Sequence, residues 1–352
     1  MRTILDEHIK GQTILMRADF NVPMEGQKIT SDLRIRAALP TINYLREHGA
    51  KKIILISHLG RPEGKRNKEF SLEPVAKHLQ TLLKDAKVSF IDDISGPDVE
   101  AAVEKMKNGE ILVLENLRFY PGEEENSEEF AQEIVDSTHA DLFVQDGFAV
   151  VHRAHASTSA ITNLIPSVAG LLLEKEVSTL SKVLKNPAKP LLVVIGGAKV
   201  EDKQPLIDKF LPIADHIVVG GKIAADGYQA KSDKIYVAED FDEDIEGNKL
   251  DVGPLATVKI AELARDAKTV IWNGALGKVE DPAYATASTV LAELLGEEPN
   301  IESIICGGDT TGFVEELMHE HKGFNYSLIS TGGGAALEFL SGKSLPGIEA
   351  LA

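Results

Sequence analysis

Leu191-Leu192-Val193-Val194-Ile195-Gly196-Gly197-Ala198-Lys199 is a run of five apolar residues that ends on a glycine pair and a lysine. A continuous apolar run of this length fits a strand buried on both faces of a parallel sheet. The glycines allow a tight turn in which backbone N–H groups approach a phosphate at a helix start. The same layout recurs on both sides. Toward the N-terminus lie Ile14-Leu15-Met16, Ile53-Ile54-Leu55-Ile56, Ile111-Leu112-Val113-Leu114 and Leu142-Phe143-Val144. Toward the C-terminus lie Ile217-Val218-Val219, Val270-Ile271-Trp272, Ile304-Ile305-Cys306 and Leu328-Ile329. Helical patterns separate them, as in Ser71–Leu83, where Leu72, Val75, Leu79, Leu82 and Leu83 form a stripe. The alternation predicts an α/β fold with mostly parallel sheets.

In open sheets of this kind ligands bind beyond the carboxyl ends of the strands. The first-half strands run into Arg17-Ala18-Asp19-Phe20-Asn21, Ser57-His58-Leu59-Gly60-Arg61, Glu115-Asn116-Leu117-Arg118 and Gln145-Asp146-Gly147. The second-half strands run into Gly196-Gly197-Ala198-Lys199, Gly220-Gly221-Lys222, Asn273-Gly274, Gly307-Gly308-Asp309-Thr310 and Thr331-Gly332-Gly333-Gly334. One half therefore offers arginine, histidine and carboxamide groups, and the other glycine pairs, lysine and aspartate. The pattern fits a small-anion site in one half and a nucleotide-phosphate site in the other.

Arginine and glycine usage carries the same division. Nine arginines lie in residues 1–170 and only Arg265 lies beyond, whereas 19 of the 29 glycines lie in residues 171–352. The chain as a whole is acidic, with 37 Lys+Arg against 55 Asp+Glu and a net charge of −18. That balance argues against nucleic acid and against an anionic membrane as partners. No apolar stretch approaches the roughly 20 residues of a spanning helix. The first residues lack the apolar core of a secretory signal, and a lone cysteine, Cys306, forms no disulfide framework. A cytoplasmic setting is expected. There is no GxxxxGK[ST] loop and no GxGxxG after a strand.

The length of 352 residues predicts two domains. Their boundary is expected near Ile165–Gly170, followed by a connecting helix from Leu171 to Leu184. The acidic segment Glu239–Asp244 reads as a solvated loop; it lacks the spacing of a calcium loop. Asn126, with Glu129 three residues on, is the expected cap of a helix.

The strand-end blocks resemble those of the phosphoglycerate kinase family, and they occur in family order. They are Arg17-Ala18-Asp19-Phe20-Asn21-Val22-Pro23, Arg34–Ile42, Ser57–Pro62, Glu115–Phe119, His152–Ser157, Gly196–Val200, Trp272-Asn273-Gly274, Gly307–Thr310, Ser330–Ala335 and Leu345–Leu351. The resemblance runs from Arg17 to Leu351. It implies two doubly wound, Rossmann-like parallel-sheet domains joined by a helix, with the C-terminal tail returning to the N-terminal domain. Residues 1–168 with 338–352 would bind the triose, 169–184 would form the interdomain helix, and 185–337 would bind the nucleotide. The implied reaction is reversible phosphoryl transfer from 1,3-bisphosphoglycerate to MgADP, giving 3-phosphoglycerate and MgATP, in glycolysis and gluconeogenesis, by a hinge-bending monomer.

The resemblance implies roles residue by residue. Asp19, Asn21, Arg34, His58, Arg61, Arg118 and Arg153 would surround the phosphoglycerate. Arg34 and Lys199 would act on the moving phosphoryl group. Lys203 and Asn273 would touch nucleotide phosphates, and Glu280 the ribose. Gly197, Gly220 and Gly221 would line the adenine slot. Gly307, Gly308, Thr310, Gly332, Gly333 and Gly334 would face the nucleotide at helix starts, and Asp309 would meet Mg²⁺. Lys199 and Lys203 are four residues apart and would share a helix face if a helix starts at the glycine pair.

The nucleotide half departs from the family pattern. Ala275-Leu276 stand where Pro-Met or Pro-Val is usual, Lys278-Val279 replace Val-Phe, Lys222 stands where a third glycine is usual, and the stretch between Gly221 and Trp272 is short. These departures keep two alternatives open: a slow nucleotide- or metabolite-binding protein, and the same reaction with a non-adenine nucleotide.

Overall fold

The computed structural model describes all 352 residues, in two units. The first comprises Met1–Val177 and Ser344–Ala352, and the second Ser178–Lys343.

The first unit holds β1 (Thr13–Arg17), β2 (Met24–Glu25), β3 (Lys28–Ile29), β4 (Lys52–Ile56), β5 (Val88–Phe90), β6 (Glu110–Val113), β7 (Leu142–Gln145) and β8 (Ser167–Ala169). Its helices are α1 (Leu33–Glu47), α2 (Glu73–Leu82), α3 (Pro97–Lys105), α4 (Pro121–Glu124) and α5 (Glu128–Thr138). Six strands form one parallel sheet in the order β5-β6-β4-β1-β7-β8, and β2 and β3 form a small hairpin. Both faces of the sheet are covered, as the continuous apolar runs require. Ile14, Met16, Ile53, Leu55 and Val144 enter one core, and their neighbours Leu15, Ile54, Ile56 and Phe143 enter the other.

Helix α6 (Leu171–Lys185) runs across the division between the units. The second unit then holds β9 (Leu191–Ile195), β10 (His216–Val219), β11 (Ile235–Val237), β12 (Phe241–Glu243), β13 (Lys249–Val252), β14 (Thr269–Asn273), β15 (Glu302–Cys306) and β16 (Leu328–Ile329). Its helices are α7 (Val200–Phe210), α8 (Gly221–Ala225), α9 (Pro254–Asp266), α10 (Thr286–Glu297), α11 (Gly308–Glu320) and α12 (Gly334–Leu340). The parallel sheet has the order β11-β10-β9-β14-β15-β16. Numbered within the sheet, that is the 3-2-1-4-5-6 order of dinucleotide-binding folds, with its switch point between β9 and β14. The return segment ends in α13 (Pro346–Glu349), where Gly347 N–H donates to Val151 C=O at 2.9 Å.

Four sequence expectations need correction. The acidic segment is not a loop throughout: Phe241–Glu243 pairs antiparallel with β13, and Lys249 Nζ lies 4.5 Å from the Phe241 ring centroid. Cross-strand pairing overrides the poor strand preference of the acidic residues. The cap of α5 is Ser127, whose hydroxyl accepts the Phe130 N–H at 3.2 Å, because Asn126 itself adopts a left-handed φ of 55°. Helix α7 begins at Val200 with Lys199 outside it as the extended cap residue, so the two lysines do not share a helix face. The C-terminal return starts at Ser344 rather than at 338, because α12 packs on α7 within the second unit.

The crossover from β10 to β11 is short. It carries only the five-residue α8, where a parallel connection usually carries a full helix.

Candidate active site

In the second unit the switch point opens a cleft of about 500 Å³, within the range of small-ligand sites. Backbone contact between the two central turns shapes its floor. Gly196 N–H donates to Asn273 C=O at 3.0 Å and Gly197 N–H to Ala275 C=O at 2.8 Å. A Cβ on Gly196 would stand 2.2 Å from Ala275 O, and one on Gly274, whose φ is +99°, would stand 2.2 Å from Gly196 O. No other residue type fits either turn.

Of the sequence-derived nucleotide residues, Gly197, Lys199, Lys203, Glu280, Gly307, Gly308, Asp309 and Thr310 line this cleft. Gly220, Gly221, Asn273, Gly332, Gly333 and Gly334 do not. Gly221 lies behind the Gly197 turn, where a Cβ would come within 2.9 Å of Gly197 N, and Gly220 backs onto Leu276. Asn273 is buried beneath the cleft and reaches it through Lys203, whose Nζ donates to Asn273 Oδ1. Asn273 Nδ2 has no hydrogen-bond partner in the protein. Gly332 precedes α12, and Gly333 is its cap residue, with φ +50°.

Lysine 203 is half-buried, and burial lowers its pKa despite the nearby Asp202 and Asp309. Thr310 is buried and its hydroxyl accepts the Gly274 N–H at 3.1 Å, tying the start of α11 to the β14 turn. Asp309 is exposed in the first turn of α11. A Cβ on Gly308 would meet nothing within 4 Å, so that helix start is open to a ligand.

Sequence reasoning passed over Asp251. It is buried, its Oδ2 accepts the Ala287 N–H at 3.1 Å, and a Cβ on Gly277 would stand 2.3 Å from its Oδ1. Burial pushes its pKa up to about 6. Asp251 thus caps the start of α10, and the absence of a side chain on Gly277 leaves room for its carboxylate. Lys222, Lys249, Leu250, Lys278 and Val279 also line the cleft, and no aromatic ring does.

In the first unit the cationic side chains gather at the carboxyl ends of β1 and β4. Arg34 Nη1, from α1, pairs with the buried Asp19 at 2.5 Å. Asp19 Oδ1 accepts the Asn21 N–H at 3.2 Å, and Asn21 Oδ1 accepts the Gly60 N–H at 2.8 Å. Arg118 Nη1 donates to Gly60 C=O at 2.9 Å, and its Nε pairs with Glu124 at 3.2 Å. Asn116 holds this corner by donating to Leu59 C=O and Phe70 C=O. Arg153 is half-buried and its Nε contacts His152 Nε2 at 3.2 Å. Arg61 is exposed and makes no ion pair.

His58 is buried; burial lowers its pKa well below the usual imidazole value, with Arg17, Arg118, Arg34 and His155 adding to the effect. Burial and then Arg118, Arg17 and Arg153 push His155 down to about 4. Both rings are therefore neutral at pH 7 amid four guanidinium groups. Arg17, Glu123, His155 and Ser157 were not foreseen as site residues. The available signal was a charged residue, Arg17, closing an apolar run.

Each unit is thus a parallel α/β sheet whose strand ends concentrate groups suited to phosphates, which defines a phosphate-handling protein of the doubly wound class. Comparison with known proteins then gives the family. A sequence profile described as Phosphoglycerate kinase matches residues 4–236 and 225–343. The "Phosphoglycerate kinase" of Moorella thermoacetica is 40% identical, over 99% of this chain and 98% of that protein. Two solved structures are similar across nearly the whole chain. The phosphoglycerate kinase from Coxiella burnetii has a TM-score of 0.78 at 34% identity, covering 99% of this chain and 98% of that one. The enzyme from Pyrococcus horikoshii OT3 has a TM-score of 0.88 at 27% identity, covering 100% and 98%. The chain belongs to the phosphoglycerate kinase family. Its alignment with the Moorella protein spans 394 positions, more than the chain's 352 residues, so that relative has segments this chain lacks. The two profile matches meet at 225–236, on the short crossover between β10 and β11.

Proposed function

We propose that the chain transfers a phosphoryl group reversibly from 1,3-bisphosphoglycerate to MgADP, giving 3-phosphoglycerate and MgATP. The first unit binds the triose and the second binds the nucleotide. Family membership supports the reaction. The observation that carries the assignment of sites is the surplus of buried or half-buried cations in the first unit. Arg17, Arg34, Arg118 and Arg153 face only Asp19, Glu123 and Glu124 there. That excess suits a doubly charged phosphate and a carboxylate, which guanidinium groups grip in bidentate fashion.

The chemistry asks little covalent work of the protein. A β-phosphate oxygen of ADP, already anionic, attacks the acyl phosphorus; the P–O bond to the carboxyl group breaks, and 3-phosphoglycerate leaves as a carboxylate. No general base is needed. What remains is alignment and neutralisation of the equatorial oxygens. Arg34 from the triose side and Lys199 from the nucleotide side are the groups for that task. Lys203 and the open N–H groups at the start of α11 hold the nucleotide phosphates. Asn273 fixes the Lys203 ammonium from below. Transfer demands in-line oxygens, so the two ligands must be brought together at the moment of reaction, with water excluded.

Magnesium arrives with the nucleotide. Asp309 offers one exposed carboxylate beside the phosphate turn and makes no ion pair within the protein. One carboxylate plus phosphates is a donor set that suits Mg²⁺.

A coupled assay of ATP formation from 1,3-bisphosphoglycerate, run with ADP, GDP, CDP and UDP, tests the reading. Turnover with ADP that requires Mg²⁺ is expected. Tight MgADP binding in calorimetry without turnover by any nucleotide would overturn it. Lys222, Lys249 and Lys278, lining a cleft without an aromatic ring, make the base panel informative. No helix is long and apolar enough to cross a membrane.

A further inference from the structure

We propose that Arg17 is a positioning residue for the phosphoglycerate site: its guanidinium fixes the tautomer in which His58 meets the ligand. Arg17 is 1% exposed at the carboxyl end of β1, and its proton pattern has a single solution. A guanidinium has five N–H donors and no acceptor. Its Nε donates to Ser157 Oγ at 2.8 Å, and the Ser157 hydroxyl donates in turn to Glu123 Oε1 at 2.6 Å. Glu123 is wholly buried and also accepts the Ser157 N–H at 3.0 Å. Nη1 donates to Ala18 C=O and to Ser57 Oγ. Ser57 Oγ in turn accepts the Phe20 N–H at 2.9 Å.

The remaining contact is Nη2 to His58 Nδ1, at 3.0 Å. Since the arginine can only donate, His58 Nδ1 must carry a lone pair. The ring proton is then on Nε2, at the opposite edge. His58 therefore meets an anion as a neutral Nε2–H donor rather than as an imidazolium. The groups facing it, Arg17, Arg118, Arg34 and His155, are all basic, and none of them is a carboxylate that would favour the charged ring.

The same guanidinium joins three segments that carry ligand groups. It lies on the strand that leads to Asp19 and Asn21. It fixes His58 at the end of β4, two residues after Ile56. Through Ser157 it holds the loop that carries Arg153. A charged residue here, where a branched apolar one would fill a strand end, has this orienting task.

The proposal rests on the phosphoglycerate reading only for the ligand's name; the tautomer is a property of the free protein. Two-bond ¹H–¹⁵N correlation spectra of histidine-labelled protein test it directly. A single neutral Nε2–H ring is expected for His58 between about pH 5.5 and 8.5, on both sides of the usual imidazole value. An Nδ1–H ring, or a charged ring near pH 7, would overturn the proposal. The double variant Arg17→Met, Glu123→Gln removes both buried charges and strands neither. There we expect mixed His58 tautomers and a KM for 3-phosphoglycerate raised roughly tenfold, as for loss of one hydrogen bond to a charged group. The KM for MgADP should hold. An unchanged tautomer in that variant would again overturn the role of Arg17. Titrating 3-phosphoglycerate into the native protein should move the His58 Nε2 resonance. If it does not, the assignment of His58 to the ligand fails while the tautomer result stands.

Discussion

The carboxylate of Asp146, at the end of β7, accepts the backbone N–H of Leu172 at 3.0 Å in the first turn of α6. Thr41 Oγ1, from α1, accepts the neighbouring Leu171 N–H at 3.0 Å. Two orphan donors of a helix start are thus satisfied by residues distant in sequence. Gly170 makes room, since a Cβ there would stand 2.1 Å from Asp146 Oδ1. Asp146 Oδ2, however, has no hydrogen-bond partner, and full burial pushes the pKa up to about 7 in spite of the Thr41 hydroxyl and the Leu172 and Leu173 N–H groups.

A pH dependence of stability follows. The folded protein holds this proton to higher pH than the unfolded chain, whose aspartates titrate near 3.9. The contribution is therefore complete below about pH 4 and is lost as pH rises through about 7. Three units of difference correspond to at most about 4 kcal/mol. In Asp146→Asn the slope between those values should flatten relative to the native protein. Amide exchange of the β1 and β7 strands across that pH range measures it, and equal slopes would refute the burial argument.

Lys199→Ala should lower kcat by two to three orders of magnitude, roughly the effect of removing one charge that stabilises a transition state. Lys203→Met should act differently. It removes a half-buried ammonium from Asn273 and should raise the KM for MgADP about tenfold or more. Steady-state kinetics with each substrate varied separates the two. Full turnover by the Lys199 variant would remove it from the reacting centre.

Arg61 has no ion-pair partner within the protein, so its removal strands no charge. Arg61→Ala should leave the melting temperature within a degree or two, in line with small surface effects. Its KM for 3-phosphoglycerate should still rise severalfold. An unchanged KM would take Arg61 out of the site.

Gly196→Ala puts a methyl carbon against a backbone carbonyl that cannot retreat without moving the β14 turn. We expect a loss of about 1–3 kcal/mol, together with weakened MgADP binding. Trp272 provides the readout. It is the only tryptophan, is fully buried in β14, and donates to Gly274 C=O at 2.8 Å. Its fluorescence should follow unfolding of the second unit in both proteins and should respond to nucleotide. A probe-independent midpoint for the two units would contradict that local reading.

Nine of the twelve strands of the two sheets are legible in the sequence because apolar runs such as Leu191–Ile195 are buried at every position. Order within the sheets is not, since pairing of β9 with β14 joins residues some 80 apart that share no local signal. Strands β5, β8 and β11 are not legible either, because each has only three residues and none is buried throughout. The sequence put Gly197, Lys199, Gly307, Gly308, Asp309 and Thr310 at or beside glycine turns, and all of them line the cleft of the second unit. Glu123, Asp251 and Arg17 were not marked, because each acts on another side chain or a loop rather than at a strand end open to ligand. Lys199 was placed on a helix face by spacing alone, whereas the glycine turn keeps it extended.

The return of the chain to its first unit has a consequence for synthesis. Leu345 and Leu351 are buried, and Gly347 packs against Val151. These contacts can form only after every residue of the second unit has been made. On the ribosome the second unit can therefore finish folding while the first still lacks its last segment. Nascent chains arrested before Ser344 should be protease-sensitive in their N-terminal half, because the six strands of that sheet would be present without the α13 segment that covers Val151.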